Sequence, residues 1–235
     1  MAKEVIVKAN KVYGRKKKYS KVKIMVSLTL LVLTLAFIIL SIIYKGGKFT
    51  ITLDSRLARE NEIVIYENSK MPEETIKLEA KDMEFMDNIS INWIPQNIDN
   101  EQDGSHNGEN YIAYTFYIKN KGNSPINYWY AIKIDDVIKK VDEAARVMVF
   151  LNGEKTVYAK INSITNLPEK DTTPFYSNTI PVLEQRKTFN PNDVDKFTIV
   201  IWLEGDDPDC IDNILGGEIK MHMEIRQEFK EENNV

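Results

Sequence analysis

Hydrophobic positions follow two different rhythms along this chain. From Ile24 to Tyr44 they run without interruption, IMVSLTLLVLTLAFIILSIIY, with no charge, Pro or Gly. At about 1.5 Å of rise per residue, a helix of that length spans roughly 30 Å, the thickness of a bilayer's hydrocarbon core. The hydroxyls of Ser27, Thr29, Thr34 and Ser41 are tolerable there, because they can bond back to helix carbonyls. Residues 24–44 therefore predict a transmembrane signal-anchor helix, with Ile24, Leu30, Phe37 and Ile43 facing lipid.

Beyond the helix the rhythm shortens to period two, the mark of strands. Phe49, Ile51 and Leu53 alternate with polar residues, as in a short strand or an extended linker, and Ile63–Tyr66 is a strand candidate. Ile89, Ile91 and Trp93 predict a half-buried strand ended by Pro95. Tyr111–Lys119 and Ile126–Ile134 are rich in aromatic and β-branched residues, and the turn between them predicts an antiparallel hairpin. Asp135 is a helix cap, and Val137, Ile138 and Val141 share one helical face, so a short helix is expected before Ala144. Arg146–Leu151 and Glu154–Ile161 flank Asn152-Gly153, whose tolerance of positive φ suits a tight hairpin. Thr179–Leu183, interrupted by Pro181, reads as an edge strand, and Phe197–Leu203 as a central one. In Glu218–Gln227, Ile219, Met221, Met223 and Ile225 alternate with Lys220, His222, Glu224 and Arg226, a last strand with one wet face.

The expected fold is mainly β: a single N-terminal transmembrane helix, then an antiparallel β-sandwich, jelly-roll or Ig-like, with one short inserted helix. The expected organisation is a basic cytoplasmic tail at 1–23, the helix at 24–44, a juxtamembrane stalk or linker at 45–75 hinged at Gly46-Gly47, the sandwich at 76–229, and a flexible tail at 230–235. Residues 96–110 are polar and acidic, and read as an exposed loop.

Charge sets the orientation. The first 23 residues hold nine Lys/Arg and one Glu, a net +8 against −4 for the whole chain, which leaves −12 on the remainder. Basic residues beside a membrane helix stay cytoplasmic, so the C-terminal domain is expected outside the cell membrane, as a single-pass protein. The acidity of that domain disfavours nucleic acid and other anionic polymers as partners. One cysteine, Cys210, precludes an internal disulfide and points to a bacterium-like envelope. Signal-peptide cleavage is not expected, because the apolar run is long and no small-x-small site follows it.

Candidate chemistry is sparse. The acidic loop Glu204–Asp212 offers Asp206, Asp207, Asp209 and Asp212 as Ca²⁺ ligands, although the EF-hand register fails with Ile211 and Asp212 where an oxygen ligand and a Gly are required. Two histidines, His106 and His222, lack zinc-site spacing, and His222 reads as a surface residue. No nucleophile elbow, P-loop or dinucleotide fingerprint is present in the sequence. Acidic neighbours should raise the pKa of Cys210, the wrong direction for a nucleophile. The aromatic run Tyr128, Trp129 and Tyr130 is either core or an interaction surface.

Tyr114–Tyr128 (YTFYIKNKGNSPINY), with Asn190-Pro191-Asn192-Asp193 ahead of Phe197–Leu203, resembles the TasA/camelysin-like secreted proteins of Gram-positive bacteria. The resemblance implies a jelly-roll sandwich displayed outside the cell, often as a fibre subunit. The basic N-terminus and retained helix depart from that family and would hold each copy at the membrane. The sequence thus leads to the expectation of a non-enzymatic, membrane-anchored structural or interaction component of an envelope. Its partners would be the bilayer and another envelope protein or itself. A Ca²⁺- or carbohydrate-binding module is the alternative, and no other cofactor is expected.

Overall fold

The computed structural model describes residues 9–43, 48–83 and 85–227, with backbone alone at 9–20 and 41–43. The first eight residues, the expected hinge at 45–47 and the expected tail at 230–235 lie outside them. The chain divides into two compact units, Met1–Lys45 and Gly46–Val235.

In the first unit, Ala9–Ile43 is one helix, α1. Its segment Lys21–Leu40 has a mean hydropathy of 2.5 and buries none of its side chains. Thr29 and Thr34 donate their hydroxyls to the carbonyls of Met25 and Leu30, at 2.9 and 2.8 Å, which removes most of the cost of polar groups in lipid. The helix starts well before the apolar run, because residues 9–23 contain no Pro and many good helix formers.

The second unit is a two-sheet β-sandwich. Its elements are β1 (Thr50–Leu53), α2 (Ser55–Glu60), β2 (Ile63–Tyr66), β3 (Lys77–Glu79), β4 (Asn88–Ile89), β5 (Gly104–Ser105), β6 (Tyr111–Asn120), β7 (Ile126–Ile138), β8 (Ala145–Leu151), β9 (Glu154–Ala159), β10 (Thr173–Pro174), β11 (Val182–Phe189), β12 (Val194–Glu204) and β13 (Glu218–Arg226). One sheet has the order β11-β7-β13-β1-β3 and the other β10-β9-β8-β12-β6-β2. Most pairs are antiparallel, but β1–β13, β9–β10 and β4–β12 are parallel, so the sheets are mixed.

Strand alternation builds the core between the sheets. Ile51, Tyr128, Tyr130, Ile132, Met223 and Ile225 come from one side, and Phe116, Ile118, Val147, Phe197 and Ile199 from the other. Phe197 stacks on Phe116 with centroids 5.3 Å apart, and Tyr130 meets its ring edge-on at 5.1 Å across the gap. The second sheet is apolar on its outer face too. Met148, Phe150, Val200 and Trp202 point away from the sandwich and are covered by Ile89, Ile94 and Ile98.

Several expectations are corrected. Residues 50–66 are no stalk: β1 is hydrogen-bonded within a sheet, with Ile51 opposite Met223 and Leu53 opposite Ile225, and Leu57 of α2 is buried. A short alternating run looks alike in a linker and in an inner strand, and its partner lies about 170 residues away. β6 and β7 do not pair; they belong to opposite sheets, and residues 121–125 cross between them. The buried Asn120 carboxamide shapes that crossing, donating to the carbonyls of Ser124 and Phe189 and accepting from Gly122 N–H. The expected helix after Asp135 is the continuation of β7, followed by a single 3₁₀ turn at Val141–Glu143. Lys139 and Lys140, both at positive φ, break the strand before that turn. Ile91–Trp93 is also a 3₁₀ turn, and Trp93 is exposed. The edge strand extends to Phe189, beyond the apolar residues that announced it. Ile98 and His106 are buried within the stretch read as an exposed loop.

The Asn152-Gly153 hairpin, the central position of β12 and the wet outer face of β13 are as expected. Asn152 and Gly153 have φ of 54° and 88°, and β12 lies between β8 and β6.

Candidate functional site

The acidic loop leaves the end of β12 and is tied down at almost every residue. The buried Glu204 accepts from the Trp202 indole at 3.0 Å, from Ile91 N–H at 3.1 Å and from Asp206 N–H at 3.3 Å. It thereby fastens the segment covering the outer face of the second sheet. Asp207 is buried and forms an ion pair with Arg146, itself buried on the outer face of β8. The other Asp207 oxygen accepts from Asp209 N–H at 2.7 Å. Asp209 in turn accepts from the backbone and hydroxyl of Ser163, at 2.9 and 2.5 Å.

Of the four predicted ligands, the fold brings Asp207 and Asp209 together and leaves Asp206 and Asp212 exposed and apart from them. The third carboxylate of the group is Glu169, whose nearest candidate oxygen lies within 4.8 Å of the other two. Glu169 also accepts from the Asn162 side chain at 3.0 Å. Sequence reasoning missed it because a loop 38 residues earlier folds back over the end of β9, and no spacing announces that. Arg146 was missed as well; an Arg in a strand of RVMVFL could have been flagged as a buried charge in search of a partner. Since Arg146 neutralises Asp207, the arrangement works as a brace between two loops and β8, and its oxygens are largely used as acceptors.

Cys210 accepts a hydrogen bond from Asn88 at 3.3 Å. Burial, with the charges of Asp207, Glu204 and Asp87, pushes its thiol pKa up despite that bond. Neither histidine is its partner. The His106 ring lies between the carbonyls of Gly104 and Ile98, at 2.9 and 3.1 Å. His222 lies on the outer face of the other sheet, between Asp135 at 2.8 Å and Glu224 at 3.3 Å. There it belongs to a ladder of charges, with Lys133 at 2.9 Å and Arg226 at 2.9 Å from Glu224. A wet strand face therefore holds a half-buried, ion-paired histidine where a free surface histidine was expected.

The aromatic run splits by strand alternation. Tyr128 and Tyr130 point into the core, so neither is available for docking. The Tyr128 hydroxyl donates to the buried Asp195 at 2.7 Å, and burial, with the Asp195 charge, holds its pKa well above the usual phenol value. Asp195 also pairs with Arg186 at 3.0 Å and accepts from Asn152 at 2.7 Å, which closes that end of the sandwich. Only Trp129 of the three is on the outer face, opposite Arg226. Ile24, Leu30 and Phe37 of α1 have exposed side chains; that of Ile43 lies outside the described residues.

No protein-family model matches the chain, and no curated protein does. Among solved structures, a β-glucosidase from Kluyveromyces marxianus in complex with glucose is similar to 72% of this chain at 9% identity and a TM-score of 0.26. The match spans 15% of that chain's length. A likeness at that score carries no argument about fold or activity.

Two outcomes are expected. Arg146→Met strands the buried Asp207 charge and should cost about 3–5 kcal/mol in chemical denaturation. Combining it with Asp207→Asn should recover part of the loss, since Asn removes the charge but keeps an oxygen for Asp209 N–H. The charge ladder should also shape the pH dependence of stability. Burial alone would raise the Glu224 pKa, but hydrogen bonds from His222 and Lys133, with the Lys133 and Arg226 charges, hold it at about 2. Its contribution is present above the ordinary 4.5 and fades as pH falls toward about 2. The hydrogen bond to Glu224 raises the His222 pKa above 6.5; burial opposes that and Asp135 reinforces it. The histidine contribution is full below 6.5 and is lost as pH rises through the raised value. Thermal melts of His222→Gln across this range should lack that alkaline decline, with the acidic decline reduced but retained through Lys133.

Proposed function

We propose that this protein is a single-pass, membrane-anchored component of a bacterial envelope, displaying its β-sandwich outside the cell for structural or protein-interaction purposes. The observation that carries the reading is α1: 20 residues, Lys21–Leu40, with high hydropathy, internally bonded hydroxyls and no buried side chain. Such a helix belongs in lipid, where its backbone and side chains are both satisfied. The basic cluster Arg15-Lys16-Lys17-Lys18 precedes it, which orients the N-terminus toward the cytoplasm.

An interaction role is supported by how the polar groups are used. Asp207, Asp209, both histidines and the thiol, which drew attention as chemistry, are spent on holding loops and strands together. The resemblance to TasA/camelysin-like proteins fits display outside the cell, but strand-addition fibres are a poor match to three of the four sheet edges. β10 is two residues long and contains Pro174, β3 has three residues, and β11 carries a bulge between Arg186 and Phe189 together with Lys187. Edges of that kind resist pairing with another strand. Contacts through loops and faces suit this domain better.

The convergence of Glu169, Asp207 and Asp209 is the one observation favouring a Ca²⁺-binding module instead, and the Arg146 ion pair weighs against it.

Mild cross-linking of the intact protein in its membrane, followed by affinity capture and mass spectrometry, tests the proposal. A reproducible envelope protein, or the chain itself, is the expected catch. An empty capture would contradict the interaction role.

A further inference from the structure

Asn-Gly occurs twice in this chain, at Asn107-Gly108 and Asn152-Gly153. The pair carries a chemistry of its own. Glycine has no side chain to crowd its backbone nitrogen, so that nitrogen can reach the carboxamide carbon of the preceding Asn. Attack there forms the N–Cγ bond of a five-membered succinimide, breaks the Cγ–Nδ2 bond and expels ammonia, which carries off the amide proton. Water then opens the ring at either carbonyl and leaves Asp or a β-linked Asp. The chain and water are the only reactants, so local geometry decides which pair reacts.

At Asn107 each reacting group is held. Nδ2 donates to the Lys81 carbonyl at 3.1 Å, and Oδ1 accepts from Ala113 N–H at 3.1 Å. The attacking group, Gly108 N–H, donates to the Tyr111 carbonyl at 3.1 Å. The Tyr111 ring packs against Gly108 so closely that an added Cβ would lie 2.2 Å from it. Asn152-Gly153 is guarded differently. Both residues are exposed, and a Cβ on Gly153 would meet nothing within 4 Å. The restraint is a clasp on the Asn152 side chain: Nδ2 donates to Asp195 at 2.7 Å, and Oδ1 accepts from Lys196 N–H at 2.8 Å. Asp195 is 1% exposed and also holds the Tyr128 hydroxyl and Arg186. Turning Cγ toward the Gly153 nitrogen breaks this clasp.

We propose that Asn152 is a deamidation site of the folded protein, gated by the Asp195 clasp, and that the reaction irreversibly opens this end of the sandwich. The product cannot remake the clasp. An ionised carboxylate has no hydrogen to donate, so Asp at 152 sets one carboxylate against another that is already buried. A β-linked Asp adds a methylene to the backbone of a turn that Asn152 and Gly153 close at φ of 54° and 88°.

The full-length chain in detergent micelles is aged in mildly alkaline buffer, folded or in urea, and peptide mapping by mass spectrometry separates Asn, Asp and β-linked Asp. In urea the two pairs should convert at similar rates. In the folded chain Asn152 should convert several-fold more slowly than in urea, and Asn107 several-fold more slowly again. Asp195→Ala should bring conversion at 152 close to the urea rate, while Asn107 in the same molecules stays slow and reports an intact fold. Should that variant unfold, Asn107 would convert along with Asn152, and the parent chain in buffer and in urea still decides. Asn152→Asp, which mimics the α-linked product, should melt several degrees below the parent. Equal rates at 152 in the folded chain and in urea would overturn the clasp, as would matching rates at 107 and 152 in the folded chain. A folded chain that never converts at 152 would remove the site. An Asn152→Asp chain that melts with the parent would overturn the opening.

Discussion

The build of the second sheet follows from one constraint: β12 is apolar on both faces and must be covered twice. Phe197, Ile199 and Ile201 face the opposite sheet, while Val200 and Trp202 face outward. A sandwich ordinarily has one wet face per sheet. Here the chain spends residues 85–106 on a cover for the second sheet, inserting Ile89, Ile94 and Ile98. Irregular backbone over an apolar face carries donors that need partners, and Glu204 supplies one at the end of β12 itself. The acidic loop is thus part of the fold's hydrogen-bond accounting. Its density of carboxylates, which suggested a cation site, reflects how many loop donors meet at that corner.

The same corner explains why Arg146 is buried. An arginine on the outer face of β8 would normally reach water, but the loops over this end enclose it, and Asp207 balances the charge. A buried pair of this kind contributes little net stability, yet losing either partner is costly. Its value is in fixing the position of the acidic loop against the strand. The other sheet stays open to solvent, and its exposed face is lined by the Lys133, His222, Glu224 and Arg226 ladder. One sheet is thereby covered by loops and the other by charge.

Much of this architecture was legible in the sequence where periodicity and turn chemistry agreed. FTIVIWL announced a central strand, Asn-Gly a hairpin and EIKMHMEIR a half-wet strand. What escaped were features set by partners distant in sequence. β1 became a strand through pairing with β13, and the turn after β6 became a crossing between sheets through Asn120. The Asp135 helix signal lost to continued pairing of β7 with β13. For the candidate sites the balance was poorer. Alternation was enough to foresee that Tyr128 and Tyr130 face away from Trp129, but nothing in the sequence placed Glu169 or Arg146 beside Asp207. Local residue spacing says little about which loops meet at the end of a sandwich.

The central proposal is that α1 is a membrane anchor and the β-sandwich is displayed on the outer side. Lys170 has a side chain 92% exposed. A Lys170→Cys variant in a Cys210→Ser background can be treated with a membrane-impermeant maleimide on intact cells. Labelling before lysis, at the level seen after lysis, is the predicted result. Labelling only after the cells are opened would contradict the account.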